Sequence, residues 1–374
     1  MGARLLALWV AHVATAAAAR NAAPRPGWLV VHTWPWKQCA DSAAEVLSRG
    51  GSALDAAVAG ASVAEQDASI DSVGGGAHPD ASGEPTLDAA VMCGRTMRIG
   101  AVGALRSVQQ AATTARLVME HTTHSLLVGD AASSFATQFG DLERVSLQSA
   151  SSNASWEAWR EGGCHPGYWT AVSPATGCGP FIPLDSGAER PRLATVTPDM
   201  HDTLSIAVLD GLGDIAAVTT TNGLAFKIPG RVGDAAIPGS GNYARNGLGA
   251  CGATGDGDVL MRFLPCYQAL ESLRLGWSPL DAAEDALRRI GAVEPGFQGA
   301  LFVVAADGTH AGACHNWVFQ YTVRAEGDPG AVVHTVHPRP DYVPRGPSGM
   351  RTHLWHMLAA AGLGAAVASL AASR

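Results

Sequence analysis

Residues 199–210 have the sequence Asp-Met-His-Asp-Thr-Leu-Ser-Ile-Ala-Val-Leu-Asp and change character at Thr203. After that threonine, bulky apolar residues alternate with small or hydroxyl-bearing ones, which is the period of a half-buried β-strand. Asp210-Gly211-Leu212-Gly213 is a turn signal, and the next apolar run, Ile215–Thr221, ends in three threonines. The two runs predict a β-hairpin in which Thr203 falls roughly opposite Thr220, so that hydroxyl groups gather at one end of a sheet.

A threonine hydroxyl is a weak nucleophile unless a base takes its proton, and the hairpin supplies no histidine for this task. The α-amino group of an N-terminal threonine can be the base, because its unperturbed pKa of roughly 7.7 to 8.0 leaves part of it neutral at physiological pH. This chemistry requires the chain to be cut between Asp202 and Thr203. The alternative, a threonine that only opens a strand, is the commoner meaning of a single His-Asp-Thr triplet.

Further motifs accompany the triplet, in order and without large gaps. They are Thr33-Trp34-Pro35-Trp36-Lys37, Gly83-Glu84-Pro85-Thr86-Leu87-Asp88-Ala89, Gly100-Ala101-Val102-Gly103-Ala104-Leu105-Arg106, Glu120-His121-Thr122-Thr123-His124, Thr219-Thr220-Thr221-Asn222-Gly223, Phe226-Lys227-Ile228-Pro229-Gly230-Arg231-Val232-Gly233-Asp234 and Ala253-Thr254-Gly255-Asp256-Gly257-Asp258. Together with Met200-His201-Asp202-Thr203, this set resembles the glycosylasparaginase (aspartylglucosaminidase) family of N-terminal nucleophile hydrolases. The resemblance covers about residues 27 to 321. It implies an α/β fold, a four-layer αββα sandwich, and a reaction that needs no metal or organic cofactor.

The resemblance also implies a mechanism. The precursor would cut itself between Asp202 and Thr203 through an N-to-O acyl shift, leaving two chains that stay together. Thr203 would then attack the side-chain amide of an N4-linked GlcNAc-asparagine, with its own amino group as base and Thr221 as a hydrogen-bonding partner. A covalent aspartyl ester would form, and water would release aspartate. Trp34 would lie in the substrate pocket.

Two pairs of residues suit an asparagine-type substrate. Arg231 can hold a carboxylate through two parallel hydrogen bonds and Asp234 can accept from an ammonium group, so the two could clamp both α-groups. A salt bridge within the loop is the alternative, since such pairs are common. Thr254 and Gly255 precede a predicted helix over residues 259–274, and the resemblance implies that they form an oxyanion hole.

The chain divides into four predicted parts. Residues 1–19 combine a positive start, an apolar run and small residues, which predicts a secretory signal peptide. Residues 20–202 would form the α subunit, 203–325 the core of the β subunit and 326–374 a divergent tail. We therefore expect a protein of the secretory pathway, with a lysosomal or an extracellular destination left open.

Composition limits the partners. The 374 residues are 47% hydrophobic and 16% charged, which is enough apolar material for a large core. The formal net charge of −8 and the lack of any Lys/Arg run argue against a nucleic-acid partner. The expected partners are a small glycoasparagine substrate and the two chains of one precursor, with a dimer of the processed unit left open.

Residues 142–200 lack a clear period and are rich in Ser, Gly and Pro, which predicts a long irregular segment covering the cleavage point. Cys164 and Cys178 bracket a short loop in it, and the resemblance also pairs them as a disulfide. The five other cysteines are expected to be buried free thiols. Asn153 begins a glycosylation motif, Asn-Ala-Ser, expected in an exposed loop. Further upstream, apolar spacing predicts a helix over residues 102–119.

The tail leaves three structures open. Residues 354–372 are rich in alanine and, apart from His356, contain no titratable side chain. This composition fits a marginal membrane span, a lipid-anchor signal or an ordinary surface helix. Membrane contact through the tail is therefore one of the open expectations.

Three features depart from the family pattern. Met200 and Ser205 stand where the family has glycine, and the loop over residues 74–78 differs. Met200 or Ser205 could disturb the strained geometry that self-cleavage requires. Two alternative functions stay open. One is an isoaspartyl peptidase or L-asparaginase of the same superfamily, with the same nucleophile and clamp. The other is an unprocessed, inactive binding protein.

Overall fold

The computed structural model of the chain describes residues 27–75, 78–185 and 203–345. The predicted signal peptide, residues Met200 and Asp202 before the nucleophile, and the Ala-rich tail lie outside these ranges. No helix within them is long and apolar enough to cross a membrane.

The described residues form runs of helices that alternate with runs of strands. The helices are α1 (Lys37–Ser48), α2 (Ala53–Gln66), α3 (Ala111–His121), α4 (Gly129–Gln138), α5 (Ala150–Glu161), α6 (Gly257–Phe263), α7 (Pro265–Arg274) and α8 (Pro279–Gly291), with a 3-10 helix at Asp234–Ala236. The strands are β1 (Leu29–Thr33), β2 (Leu87–Cys93), β3 (Ile99–Leu105), β4 (Leu126–Val128), β5 (Val172–Ser173), β6 (Ile182–Pro183), β7 (Leu204–Leu209), β8 (Ile215–Thr221), β9 (Asn242–Arg245), β10 (Gly249–Gly255), β11 (Gly299–Ala305), β12 (His310–His315), β13 (Phe319–Ala325) and β14 (Val332–Val336).

Two sheets carry the architecture. An 8-stranded sheet has the order β14-β13-β1-β7-β8-β2-β3-β4, and a 4-stranded sheet has the order β12-β11-β10-β9. Neighbouring strands run antiparallel except for the parallel pair β3 and β4. β5 and β6 pair separately. Because β7 lies in the middle of the large sheet, it has paired neighbours on both edges.

Three apolar layers hold the sheets and helices together. Val30, Ile206 and Val218 face the layer that the large sheet shares with α1, α2 and α3. Val31 and Phe302 belong to the layer between the two sheets. A third layer joins the small sheet to α7 and α8. The order helix, sheet, sheet, helix confirms the predicted four-layer αββα sandwich.

Close packing of the first helices explains their small residues. The Ser52 hydroxyl accepts from the backbone nitrogen of Asp55, and the Asp55 carboxylate accepts in return, which starts α2 with a capping box. A Cβ added at Gly60 would lie 2.8 Å from the Cys39 carbonyl oxygen and 2.7 Å from Ile206 Cδ1. The Ala/Gly composition therefore lets α2 approach both α1 and β7.

The hairpin is present, but its register differs by one residue from the prediction. Leu204 pairs with Thr220 and Ser205 with Thr219, so continuation of the ladder puts Thr203 opposite Thr221. A shift of one residue exchanges the faces of a strand. Thr219 and Thr221 thus face the second sheet together with Thr203, whereas Thr220 faces α2.

Three local predictions were wrong. Residues 102–119 contain β3 and then α3, because β3 is buried on both faces and has no alternation to distinguish it from a helix. The helix over 259–274 is divided at Leu264, which has φ +49° and precedes Pro265. Part of the segment 142–200 is helical, since α5 starts with a capping box at Ser149, and Asn153 is therefore exposed on a helix.

Candidate active site

Thr203 is buried at the start of β7, where the two sheets meet. Its backbone nitrogen donates to Thr254 Oγ1 at 3.2 Å. Its carbonyl oxygen accepts from Thr33 Oγ1 at 2.6 Å and from Trp34 Nε1 at 3.2 Å. The Thr33 hydroxyl in turn accepts from the backbone nitrogen of Ser205 at 2.9 Å. Uncharged side chains from β1 and β10 therefore hold the predicted nucleophile on both sides of its Cα atom.

Trp34 lies beside the nucleophile in a strained conformation. Its φ of +74° is in the left-handed region, which costs a residue with a side chain about 1 to 3 kcal/mol. Its ring centroid lies 6.3 Å from that of Trp36, 5.6 Å from that of Trp317 and 6.4 Å from that of Phe319. We call these four residues the aromatic cluster. Its ring contacts and the indole hydrogen bond to Thr203 offset the backbone strain.

Thr221 ends β8 on the same face as Thr203. Its hydroxyl accepts from the backbone nitrogen of Gly223 at 2.9 Å and lies 3.4 Å from the Ser72 carbonyl oxygen, to which it can donate. The next residue, Asn222, donates its backbone nitrogen to the same carbonyl at 2.8 Å. The loop after α2 therefore supports the end of β8 where the hydroxyls gather.

Arg231 and Asp234 are brought together, but each has a different environment. A Cβ added at Gly257 would lie 2.5 Å from Asp234 Oδ1 and 3.0 Å from Arg231 Nη2, so both side chains converge on the first residue of α6. Arg231 donates to Asp258 Oδ2 from Nε at 3.1 Å and from Nη2 at 2.9 Å. Arg231 therefore forms a salt bridge, but its partner is Asp258 and not the Asp234 that the alternative from the sequence had suggested.

Buried ionisable groups dominate this end of the site. Burial raises the pKa of Asp234 to about 7, against the opposing attraction of Arg231. Asp234 Oδ2 is buried and has no hydrogen-bond partner. Burial likewise lowers the pKa of Lys227, whose ammonium donates to the Asn222 carbonyl at 2.8 Å and lies 3.3 Å from that of Thr86. An ammonium group bound beside Asp234 would supply its missing partner.

Thr254 and Gly255 lie at the end of β10, directly before the start of α6. Thr254 is buried with its hydroxyl on the nitrogen of Thr203. Gly255 has φ +132°, and a Cβ there would lie 2.5 Å from Gly299 Cα. Only glycine suits this position, where the chain turns from β10 into α6.

The sequence pattern of the asparaginase family matches residues 9–332. A probable isoaspartyl peptidase/L-asparaginase 3 of Arabidopsis thaliana is 44% identical over 325 residues, covering 83% of this chain and 90% of the relative. The N(4)-(beta-N-acetylglucosaminyl)-L-asparaginase of Mus musculus is 44% identical over 300 residues, covering 79% of this chain and 86% of the relative.

The chain belongs to the asparaginase family of N-terminal nucleophile hydrolases. This family includes the glycosylasparaginases, which the sequence motifs had indicated. A putative N(4)-(beta-N-acetylglucosaminyl)-L-asparaginase of Drosophila melanogaster, 42% identical over 299 residues, covers 77% of this chain and 76% of the relative. Membership makes the chain an asparaginase-type amidohydrolase.

Sequence reasoning overlooked three residues of this asparaginase-family site. Thr33 was noted only as part of a motif, although its hydroxyl holds the Thr203 carbonyl. Lys227 is fully buried, and its place inside the Phe226–Asp234 motif was the available signal. Asp88 accepts from the backbone nitrogen of Gly233 at 3.0 Å and thereby supports the loop that carries Arg231. All three act through contacts between segments distant in the chain.

The segment before the nucleophile carries the predicted disulfide. Cys164 and Cys178 are bonded, with their Cα atoms 5.1 Å apart. The five other cysteines are free; all are buried except Cys93, which is half-buried. Among the described residues of this asparaginase-family chain, no cluster of three or more His, Cys, Asp or Glu side chains could hold a metal ion.

Proposed function

We propose that the chain is a self-cleaving amidohydrolase that hydrolyses the N4-linked GlcNAc-asparagine amide through Thr203. The observation that carries the proposal is the position of Thr203 at the start of β7, with its nitrogen on the Thr254 hydroxyl at 3.2 Å. The domain division follows from the same step: residues 20–202 become one subunit, and residues from 203 onward become the other.

The proposed self-cleavage produces the catalytic base, the free α-amino group of Thr203. The Thr203 hydroxyl attacks the Asp202 carbonyl carbon, the peptide C–N bond breaks, and the nitrogen of Thr203 becomes a free amine. Water then hydrolyses the ester and releases the Asp202 carboxylate. The new amine can take the proton of the Thr203 hydroxyl when that hydroxyl attacks the substrate amide.

The proposed substrate contacts involve two groups of residues, one around Arg231 and one around Thr203. Arg231 and Asp234 would bind the α-carboxylate and the α-ammonium groups. Thr221 would assist Thr203, and Thr254 with Gly255 would stabilise the oxyanion. The leaving sugar amine takes a proton, and water hydrolyses the aspartyl ester to aspartate. Trp34 and the aromatic cluster favour a sugar on the leaving side, because aromatic faces suit the apolar faces of a pyranose ring.

A second candidate is isoaspartyl peptidase or L-asparaginase activity. The Arabidopsis thaliana relative, a probable isoaspartyl peptidase/L-asparaginase 3, supports it. Both activities would use the same nucleophile and clamp, so only the group on the amide nitrogen differs. Measuring kcat/KM for GlcNAc-asparagine, a β-aspartyl dipeptide and asparagine separates them. A higher value for the dipeptide would replace the primary proposal with the second.

Activation is tested by intact mass and N-terminal sequencing of protein secreted from eukaryotic cells. The expected result is two chains, one beginning at Thr203 and the other lacking residues 1–19. Entry into the secretory pathway and a glycan on Asn153 are part of the same proposal and appear in the same masses. A single uncut chain without amidase activity would instead identify an inactive binding protein.

A further inference from the structure

Ser205 is fully buried between β7 and β10, two residues after Thr203. Its hydroxyl lies 2.8 Å from the Ala253 carbonyl oxygen, 3.1 Å from that of Gly241 and 3.3 Å from Thr219 Oγ1. A hydroxyl has a single hydrogen to donate. The shortest contact, to Ala253, therefore receives it and joins the nucleophile strand to β10.

The side chain of Ser205 also occupies space that β10 leaves free. A Cβ added at Gly252 would lie 2.7 Å from Ser205 Cβ and 2.4 Å from two ring carbons of Phe302. Real Cβ atoms essentially never approach other atoms below 3.0 Å. Glycine at position 252 thus accommodates both the serine and the phenylalanine ring.

The contact with Ala253 leads directly to the nucleophile. Ala253 precedes Thr254, whose hydroxyl accepts from the Thr203 nitrogen. We propose that Ser205 is a positioning residue: by holding the Ala253 carbonyl, it keeps the Thr254 hydroxyl on the amine that acts as the base. This inference rests on the proposed function, because that nitrogen becomes an amine only after cleavage.

The pH profile of kcat tests this role. An acceptor on an ammonium group stabilises the charged form and raises its pKa. Ser205→Ala removes the hydroxyl and keeps the Cβ atom, so the Thr254 hydroxyl is held less firmly and the amine pKa falls. We expect the acidic limb of kcat to move to lower pH, with kcat on the plateau about threefold to tenfold lower and KM changed by less than about twofold.

Two variants calibrate the result. Thr254→Val removes the acceptor itself and should move the limb in the same direction and further. Ser133→Ala removes another fully buried serine hydroxyl, on α4, that accepts from the Arg106 nitrogen at 2.9 Å and lies 3.4 Å from the Gly129 carbonyl oxygen. The acidic limb should be unchanged in this matched control.

A stability cycle tests the contact without using activity. Gly252→Ala should lower Tm by at least about 5 °C in the presence of Ser205, and by a smaller amount in a Ser205→Gly background, where only the Phe302 ring still meets the added Cβ atom. Additive shifts would show that Ser205 does not fill the space against Gly252 and would overturn the inference. If the Tm shifts are not additive but the acidic limb of Ser205→Ala is unchanged, as in the Ser133→Ala control, the positioning role is overturned.

Different results would overturn the proposed function and the positioning role of Ser205. Wild-type protein that is cut at Thr203 and hydrolyses an amide establishes the enzyme, and the Ser205→Ala profile then decides the role of Ser205. Wild-type protein that stays uncut and inactive overturns the proposed function and the positioning role with it, even where the cycle is coupled.

Discussion

The two ends of the candidate site are built from different materials. Around Thr203, the groups are neutral: the hydroxyls of Thr33 and Thr254 and the indole of Trp34 contact its backbone. Around Arg231, they are ionisable, and two of them, Lys227 and Asp234, are buried. We call these the neutral end and the charged end.

Their hydrogen bonding differs in the same way. At the neutral end, donors and acceptors on β1, β7 and β10 contact one another. At the charged end, Asp234 Oδ2 has no partner, and Arg231 pairs with Asp258, whose side chain is 52% exposed. Burying an unpartnered carboxyl group is costly. The fold therefore satisfies the hydrogen bonds of the neutral end by itself, whereas at the charged end it leaves one buried carboxyl oxygen of Asp234 unpaired.

The largest expected effect comes from breaking the neutral end at its centre. Thr203→Ala should lower kcat/KM by at least about 10³-fold, because it removes the nucleophile and the cleavage that frees the base. Thr203→Ser keeps a hydroxyl and should retain part of the activity. The check is steady-state kinetics on GlcNAc-asparagine with intact-mass analysis of each variant. Full activity in an uncut Thr203→Ala chain would contradict the mechanism.

The next effect concerns a carboxyl group behind the neutral end. Glu65 Oε1 accepts from Thr220 Oγ1 at 2.7 Å and from the Ala112 nitrogen at 2.8 Å, whereas Oε2 has no partner. Burial raises the pKa of Glu65 to about 7. A raised folded-state pKa contributes stability below the unfolded value of 4.5, and this contribution is lost as pH rises through about 7.

Glu65→Gln removes this titration. Between about pH 5 and about pH 8, the free energy of unfolding of the wild type should fall relative to the variant by up to about 3 kcal/mol. Urea unfolding at both pH values measures the difference. Glu45→Gln changes an exposed side chain and is the matched control. Parallel pH dependence of wild type and Glu65→Gln would show that Glu65 is already ionised when buried.

A smaller effect is expected from Arg231→Lys, which sharpens the picture of the charged end. Lysine keeps the charge but cannot offer two parallel hydrogen bonds to a carboxylate. KM should rise about 30-fold, roughly 2 kcal/mol, with a smaller change in kcat. Arg262→Lys, in the exposed pair with Glu294, is the control and should leave KM unchanged. An unchanged KM in Arg231→Lys would place the α-carboxylate elsewhere.

The smallest effect is a pH dependence. Asp234 must be ionised to attract an ammonium group, and burial holds its pKa at about 7 in the free protein. Protonation of Asp234 should therefore lower kcat/KM about tenfold for each pH unit below that pKa. Asp234→Asn should make the acidic limb of kcat/KM shallower, and the limb of kcat should keep its slope. An equally steep limb in the variant would exclude Asp234 as the titrating group.

The neutral end was the more predictable of the two. Thr203, Thr221 and Thr254 stand in motifs, and alternation in 204–209 indicated a strand. The pairing of Thr203 with Thr220 was predicted wrongly. The turn residues fix the register between β7 and β8 only to within one position, and a shift of one residue changes which side chains share a face. The disulfide was predicted, but α5 was not, since its many serines obscure a helix that Trp156 and Trp159 anchor.

At the charged end, the residues were predicted and their pairing was not. Arg231 and Asp234 are three positions apart, which suggested a joint clamp. Asp258 lies 27 positions further along the chain, and α6 brings it to Arg231. The burial of Lys227 was not predicted, because a lysine in a loop is normally solvated; only its place inside the Phe226–Asp234 motif singled it out.

By itself, the sequence determined the family, the four-layer sandwich and the threonine at which the chemistry is expected, because ordered motifs and strand periodicity are local properties. Tertiary structure alone decided which hydroxyl faces which, that the Ser205 hydroxyl contacts β10, and that Asp234 Oδ2 is left without a hydrogen-bond partner. These depend on distances between strands and loops far apart in the chain, and on burial, which together decide the hydrogen bonds and charges a side chain meets.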